Sequence, residues 1–167
     1  MKKKNFNIET QVEIEQFLYD VAEACDNQDW DRYLDYYSEN VTFHIPQWLD
    51  EHRYTTDPKR EMSLMYYANR GGLEDRVFRI RTGKSAASTP MPRTSHMLNN
   101  IRYHQEDDLY KVKVNWVTHY YRFGVAGTFF GYAYYDLIKV DNLWKIAYKQ
   151  VILLNDKIDS VLDFYHV

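Results

Sequence analysis

Apolar residues recur at two periods along this chain, and the change of period divides it. In the first half Ile14, Phe17, Leu18, Val21 and Ala22 fall at helical spacing. Before them Thr10-Gln11-Val12-Glu13 reads as a capping box, in which Thr10 and Glu13 satisfy each other's free backbone N–H groups. Trp30, Tyr33, Leu34 and Tyr37 repeat the spacing, with Asn27 or Asp29 as the cap. Two short amphipathic helices are therefore expected. Val41 to Ile45 alternates like a strand and stops at Pro46. Gln47 to Pro58 is a polar excursion carrying Trp48 and Tyr54, too long for a simple turn and so a functional candidate. Met62 to Tyr67 predicts a short strand, and Leu73, Val77 and Ile80 line one face of a third helix.

The second half alternates with a period of two. Thr94 to Tyr103, Leu109 to Phe123, Gly127 to Val140 and Leu143 to Asn155 each read as a long strand. Gln105-Glu106-Asp107-Asp108 and Asp141-Asn142 supply hairpin turns. At the end Ile158, Val161, Leu162 and Tyr165 share a helical face, which predicts a closing helix over Ile158 to Val167 and a C-terminus that is tied down. Helices first and an antiparallel meander afterwards define an α+β fold: a cone-shaped, curved antiparallel sheet wrapped round the N-terminal helices. Residues 1–167 are expected to form one domain, with no repeats or linkers.

Charge and composition narrow the partners. The net charge is −3 with both signs interleaved, which argues against nucleic acid. Met1-Lys2-Lys3-Lys4 is followed by polar sequence and not by an apolar signal core. No run of about 18 apolar residues is present to span a membrane. The expectation is a soluble, cytoplasmic protein. Cys25 is the one cysteine, so the chain has no internal disulfide and no cysteine-ligated cluster; it reads as a small buried hydrophobe. Aromatic residues make up 17%, with 16 tyrosines against 8 phenylalanines. Tyrosine has an apolar ring and a polar tip, so it suits half-wet cavities and protein interfaces.

Candidate chemistry is sparse. Gly83-Lys84-Ser85 matches the tail of a phosphate-binding loop, but position 78 is Phe where a second glycine is needed, and Pro90 and Pro92 stand where a helix should follow. Six histidines offer no closely spaced pair. A hairpin centred near residues 106 and 107 would put His96 and His119 diagonally on one face, without an obvious carboxylate to complete an iron triad. The alternative is that both bond hydroxyl or backbone partners. No nucleophile elbow is present. Were the cone hollow, His44, His119 and Asp136 would be the acid–base candidates of a stand-alone dehydratase or isomerase. Asp136, flanked by Tyr134, Tyr135, Leu137 and Ile138, is expected to be partly buried, either as an acid or as an acceptor for tyrosines.

The block from Arg60 to Ile101, "REMSLMYYANRGGLEDRVFRIRTGKSAASTPMPRTSHMLNNI", resembles the small (β) subunits of aromatic-ring-hydroxylating dioxygenases. The likeness extends through Ile14 to Trp48 and through "LLNDKIDSVLDFYHV" at the end. "HIPQWLDEHRY" and "RTGKSAASTPMPRT" direct it toward enzymes acting on aromatic acids, benzoate and above all anthranilate. The resemblance implies a cone like that of nuclear transport factor 2 and scytalone dehydratase, and an assembly of three large (α) and three small subunits. It also implies that the large subunit carries a Rieske [2Fe–2S] cluster and a mononuclear Fe(II), with NADH electrons arriving through a reductase. This chain would hold no cofactor, metal or catalytic residue.

That reading gives the basic run a role. Asp75 and Arg79 are four apart and can pair on the third helix, which leaves Arg76 over. Arg70, Arg76, Arg79, Arg93 and His96, with Trp48, Tyr54 and the loop Thr82 to Arg93, are the candidate contacts to a large subunit or a neighbouring small one. Arg and Tyr are both enriched at interfaces.

Overall fold

The computed structural model describes residues 6–159 and 161–167, so Met1 to Asn5 and Ser160 lie outside the described residues. Helix α1 spans Ile8–Asp26 and begins earlier than the capping-box reading placed it. Asn7 is the cap, its Oδ1 accepting from the backbone N–H groups of Glu9 (2.8 Å) and Thr10 (3.1 Å). Tyr103 fixes that start by exchanging hydrogen bonds with the Asn7 backbone, so Thr10 sits inside the first turn. Helix α2, Trp30–Asp35, is capped by Asp29, as its spacing predicts. Tyr37 instead opens strand β1, Tyr37–Pro46. Strand β2 (Ser63–Tyr67) and helix α3 (Gly71–Arg81) complete the first half.

The meander forms as expected: β3 (Arg93–Glu106), β4 (Leu109–Arg122), β5 (Val125–Val140) and β6 (Leu143–Leu153) pair antiparallel in succession. The six-stranded order is β2-β1-β6-β5-β4-β3. One pairing departs from the antiparallel expectation, because β1 runs parallel to β6. β2 folds back onto the outer edge of β1, which leaves only the inner edge for the last strand to occupy.

Alternate residues of each strand face α1 inside the curve. Val112, Val114 and Trp116 of β4 are buried there with Ile14, Leu18 and Val21 of the helix. Cys25 is buried among them, and burial pushes its thiol up to about 12, as a small core hydrophobe should behave. On α3, Leu73 and Val77 are buried, as their spacing predicts. Gly83 ends that helix in the left-handed region (φ 64°), its N–H donating to Ile80 O at 3.1 Å. The Gly-Lys-Ser sequence is thus a helix stop.

The closing helix does not form. The described residues between Ile158 and Val167 are irregular apart from a 3-10 turn at Phe164–His166, and Val161 of the expected apolar face is 52% exposed. What ties the segment down is individual burial: Phe164, Tyr165 and Val167 enter the mouth of the sheet separately, where a regular helical stripe would bury only one side.

Candidate functional site

Beneath α1 the cone is closely packed with buried side chains. A space beneath α1 measures about 20 Å³, bounded among others by Cys25, Tyr33, His96, Trp116 and Lys149. A water molecule fits such a space, whereas ligand pockets run to hundreds of Å³. Phe164, Tyr165 and Val167 help to fill it. Lys149, also buried, donates from Nζ to Val167 O at 3.0 Å and lies 5.3 Å and 5.7 Å from the rings of Phe43 and Tyr135. Burial lowers its ammonium to about 8.

The proposed acid–base group does not assemble. His44, His119 and Asp136 all lie on the outer face of the sheet, not in the interior. His44 Nε2 is 3.0 Å from Ser63 Oγ and its Nδ1 is 3.3 Å from Gln150 Nε2; burial lowers its imidazole below the usual value. His119 Nδ1 meets Thr128 Oγ1 at 2.9 Å. Asp136 pairs across β4 with Lys111, whereas His119 is farther along that strand, roughly 25 Å away at strand rise. Burial raises the Asp136 carboxyl and Lys111 opposes it, so the carboxyl is partly buried as expected but faces no histidine of the group.

His96 and His119 do not share a face either. A register shift between Asn99 and Arg102 pairs His96 with Thr118 and Ser95 with His119. A slip of one residue sends a side chain to the opposite side. His96 therefore points inward, where its Nδ1 meets Asp26 Oδ1 at 2.5 Å. Thr94 Oγ1 (2.8 Å) and the His96 backbone N–H (2.9 Å) also donate to the Asp26 carboxylate. Burial alone would raise that carboxyl, but these partners outweigh it and hold it below the usual range. Among the described residues no three of His, Cys, Asp and Glu come together around one point.

The other arginines divide. Arg76 is not left over: it forms an ion pair with the fully buried carboxylate of Asp163, and the expected Asp75–Arg79 pair is replaced on α3 by Arg70 Nε–Glu74 Oε1 at 2.8 Å. Arg70 also donates to Tyr37 O at 3.2 Å. Arg79 and Arg93 are exposed, and neither has an ion pair among the described residues. Arg122, which the sequence pattern did not single out, pins the loop Thr82 to Arg93 by donating to Ala86 O (2.6 Å), Thr89 O (3.3 Å) and Pro90 O (2.9 Å). It sits in an ordinary strand pattern, and only the folded hairpin brings it to that loop.

The outer face has the opposite character. Its cross-strand rows run Met97–Val117–Phe130, Asn115–Tyr132 and Lys113–Tyr134–Gln150, continuing to Lys111–Asp136–Tyr148. Phe130 is 44% exposed, and Lys113 lies 5.0 Å and 5.6 Å from the rings of Tyr132 and Tyr134. Trp48 and Tyr54 join this face: Trp48 donates from Nε1 to Leu153 O at 2.7 Å and packs edge-on against Tyr54, which meets Tyr132. Arg102, Lys111, Lys113, Tyr134, Asp136 and Tyr148 border an open groove of about 590 Å³. Beyond it the β4–β5 turn presents Phe123, 72% exposed. No described helix covers these rows. A broad aromatic, basic surface of this kind is suited to a protein partner.

The family model described as ring hydroxylating beta subunit matches residues 21–160. The chain belongs to the ring-hydroxylating dioxygenase beta subunit family. It is 52% identical to the small subunit of anthranilate 1,2-dioxygenase from Acinetobacter baylyi, over 96% of this chain and 99% of the relative. The crystal structure of the benzoate 1,2-dioxygenase beta subunit of Burkholderia mallei superposes with a TM-score of 0.78 at 35% identity, covering all of both chains. Naphthalene 1,2-dioxygenase superposes at 0.79 with 17% identity, covering 95% of this chain and 86% of the other, which speaks to the fold. For a beta subunit, a filled interior and an uncovered outer face are coherent: the relatives are subunits of dioxygenases, and beta subunits of such enzymes pair with a large alpha subunit. No helix among the described residues is long and apolar enough to cross a membrane.

Proposed function

We propose that this chain is the small, non-catalytic subunit of a cytoplasmic oxygenase that converts anthranilate, O₂ and NADH to catechol, CO₂ and ammonia. The observation that carries the substrate is the 52% identity, over nearly the whole length, to an anthranilate 1,2-dioxygenase small subunit. The close packing beneath α1, where the space bounded by Cys25, Trp116 and Lys149 measures about 20 Å³, supports an assembly role. The large subunit would supply the Rieske cluster and the mononuclear iron, a reductase would deliver the electrons, and three copies of each subunit would close a ring.

The docking surface in this reading is the outer sheet face, with Trp48 and Tyr54 at its centre and Arg93 at its margin. Arg79 would add a second contact from α3. Arg70 and Arg76, held within the chain, would support α3 rather than reach across, and His96 would act from inside. The test is expression alone and together with the large subunit. The chain alone should be colourless and inactive; the co-purified complex should be brown and consume O₂ with anthranilate faster than with benzoate. Turnover by the isolated chain overturns the assembly role, and a preference for benzoate overturns the substrate.

A further inference from the structure

Three buried polar atoms have no hydrogen-bond partner among the described residues: His96 Nε2, Trp116 Nε1 and Thr118 Oγ1. They are not scattered. His96 and Thr118 are direct cross-strand partners, and Trp116 lies two residues from Thr118 on the same inward face of β4. Directly opposed side chains on one face have Cβ atoms about 5 Å apart, and diagonal neighbours such as Trp116 and His96 about 7–8 Å, within reach of long side chains. His96 and Trp116 also bound the space of about 20 Å³ beneath α1.

The hydrogen-bonding senses are complementary. Asp26, an ionised carboxylate with Thr94 and a backbone N–H already donating to it, can only accept from His96. The His96 Nδ1 therefore carries a proton, and Nε2 faces away from the carboxylate. Trp116 Nε1–H is only a donor, and the Thr118 hydroxyl can do either. A molecule that can both accept and donate satisfies the set in either form of the His96 ring. Unmet, such buried groups would each cost about 1–3 kcal/mol.

We propose that the inner face of β3 and β4 holds one structural water, accepting from Trp116 Nε1 and hydrogen-bonded to His96 Nε2, with Thr118 Oγ1 as its third partner. The volume admits a single water and nothing larger, and three partners is the usual number for a buried one. Through His96 and Asp26 this water ties the two strands to the end of α1.

A high-resolution crystal structure of the chain, alone or in its complex, tests this. The expected result is one solvent peak within about 2.7–3.2 Å of at least two of the three atoms. Direct bonding of Thr118 to His96, or donation of the Trp116 indole to a backbone carbonyl without a solvent peak, overturns the site. The variants Thr118→Val and Trp116→Phe give a second readout. Each should lower the melting midpoint by about 3–6 °C, and together by little more than the larger one, because both remove the same water. Fully additive shifts contradict it.

Discussion

The two faces of β4 differ in what they leave undone. Inward, Val112, Val114, Trp116 and Thr118 close on α1 and on the C-terminal segment until a water-sized space remains. Outward, Lys111, Lys113, Asn115, Val117 and His119 belong to a surface with exposed aromatic rings and no described helix over it. The same strand thus finishes one interface within the chain and offers its other face to the large-subunit contact proposed above. In a fold whose interior can house chemistry, filling that interior and enriching the opposite face is what an assembly subunit requires.

Breaking the inner face should have the largest effect on stability. Phe164→Ala removes a fully buried ring at the cone mouth and should cost about 3–5 kcal/mol in denaturant unfolding. Arg76→Ala leaves the buried Asp163 carboxylate without its cation; the arginine side chain is 24% exposed, so about 3 kcal/mol is expected, the low end for breaking a buried pair. The loss should be seen in the isolated chain, which makes Arg76 a poor probe of assembly and Arg93 the better one.

Acid sharpens the same contrast. Burial lowers His166 from 6.5 to about 4, with His96 and Arg122 adding to the shift. The unfolded chain then takes up the proton first, so stability is full above pH 6.5 and is lost as pH falls toward 4, by up to about 3 kcal/mol. His166→Asn should flatten this part of the stability–pH curve. The smallest effect on folding belongs to the outer face. Phe130→Ala should change the stability of the isolated chain by less than about 1 kcal/mol, yet weaken binding to the large subunit about tenfold or more in a titration.

Much of the fold was legible because alternation and helical spacing are local signals. The strands β3 to β6, helices α1 to α3 and the buried Cys25 all follow from them. What was not legible depended on long-range geometry. The Asn7 cap is fixed by Tyr103, nearly a hundred residues away. A register shift at Asn99 decides which way His96 points, and the terminal residues bury one by one without a period. For the candidate site, Trp48 and Tyr54 were readable as aromatic residues in an overlong loop. The rows of Phe130, Tyr132 and Tyr134 were missed, because an ordinary strand pattern does not say which face stays uncovered.

Hydroxyl-radical footprinting of the free chain and of its complex with the large subunit tests the division of faces most directly, since it reports side-chain exposure. Phe130, Tyr132, Tyr134 and Tyr148 should be modified in the free chain and protected in the complex, with interior Phe43 and Phe164 unreactive in both. Outer tyrosines that remain equally reactive after assembly would contradict the account.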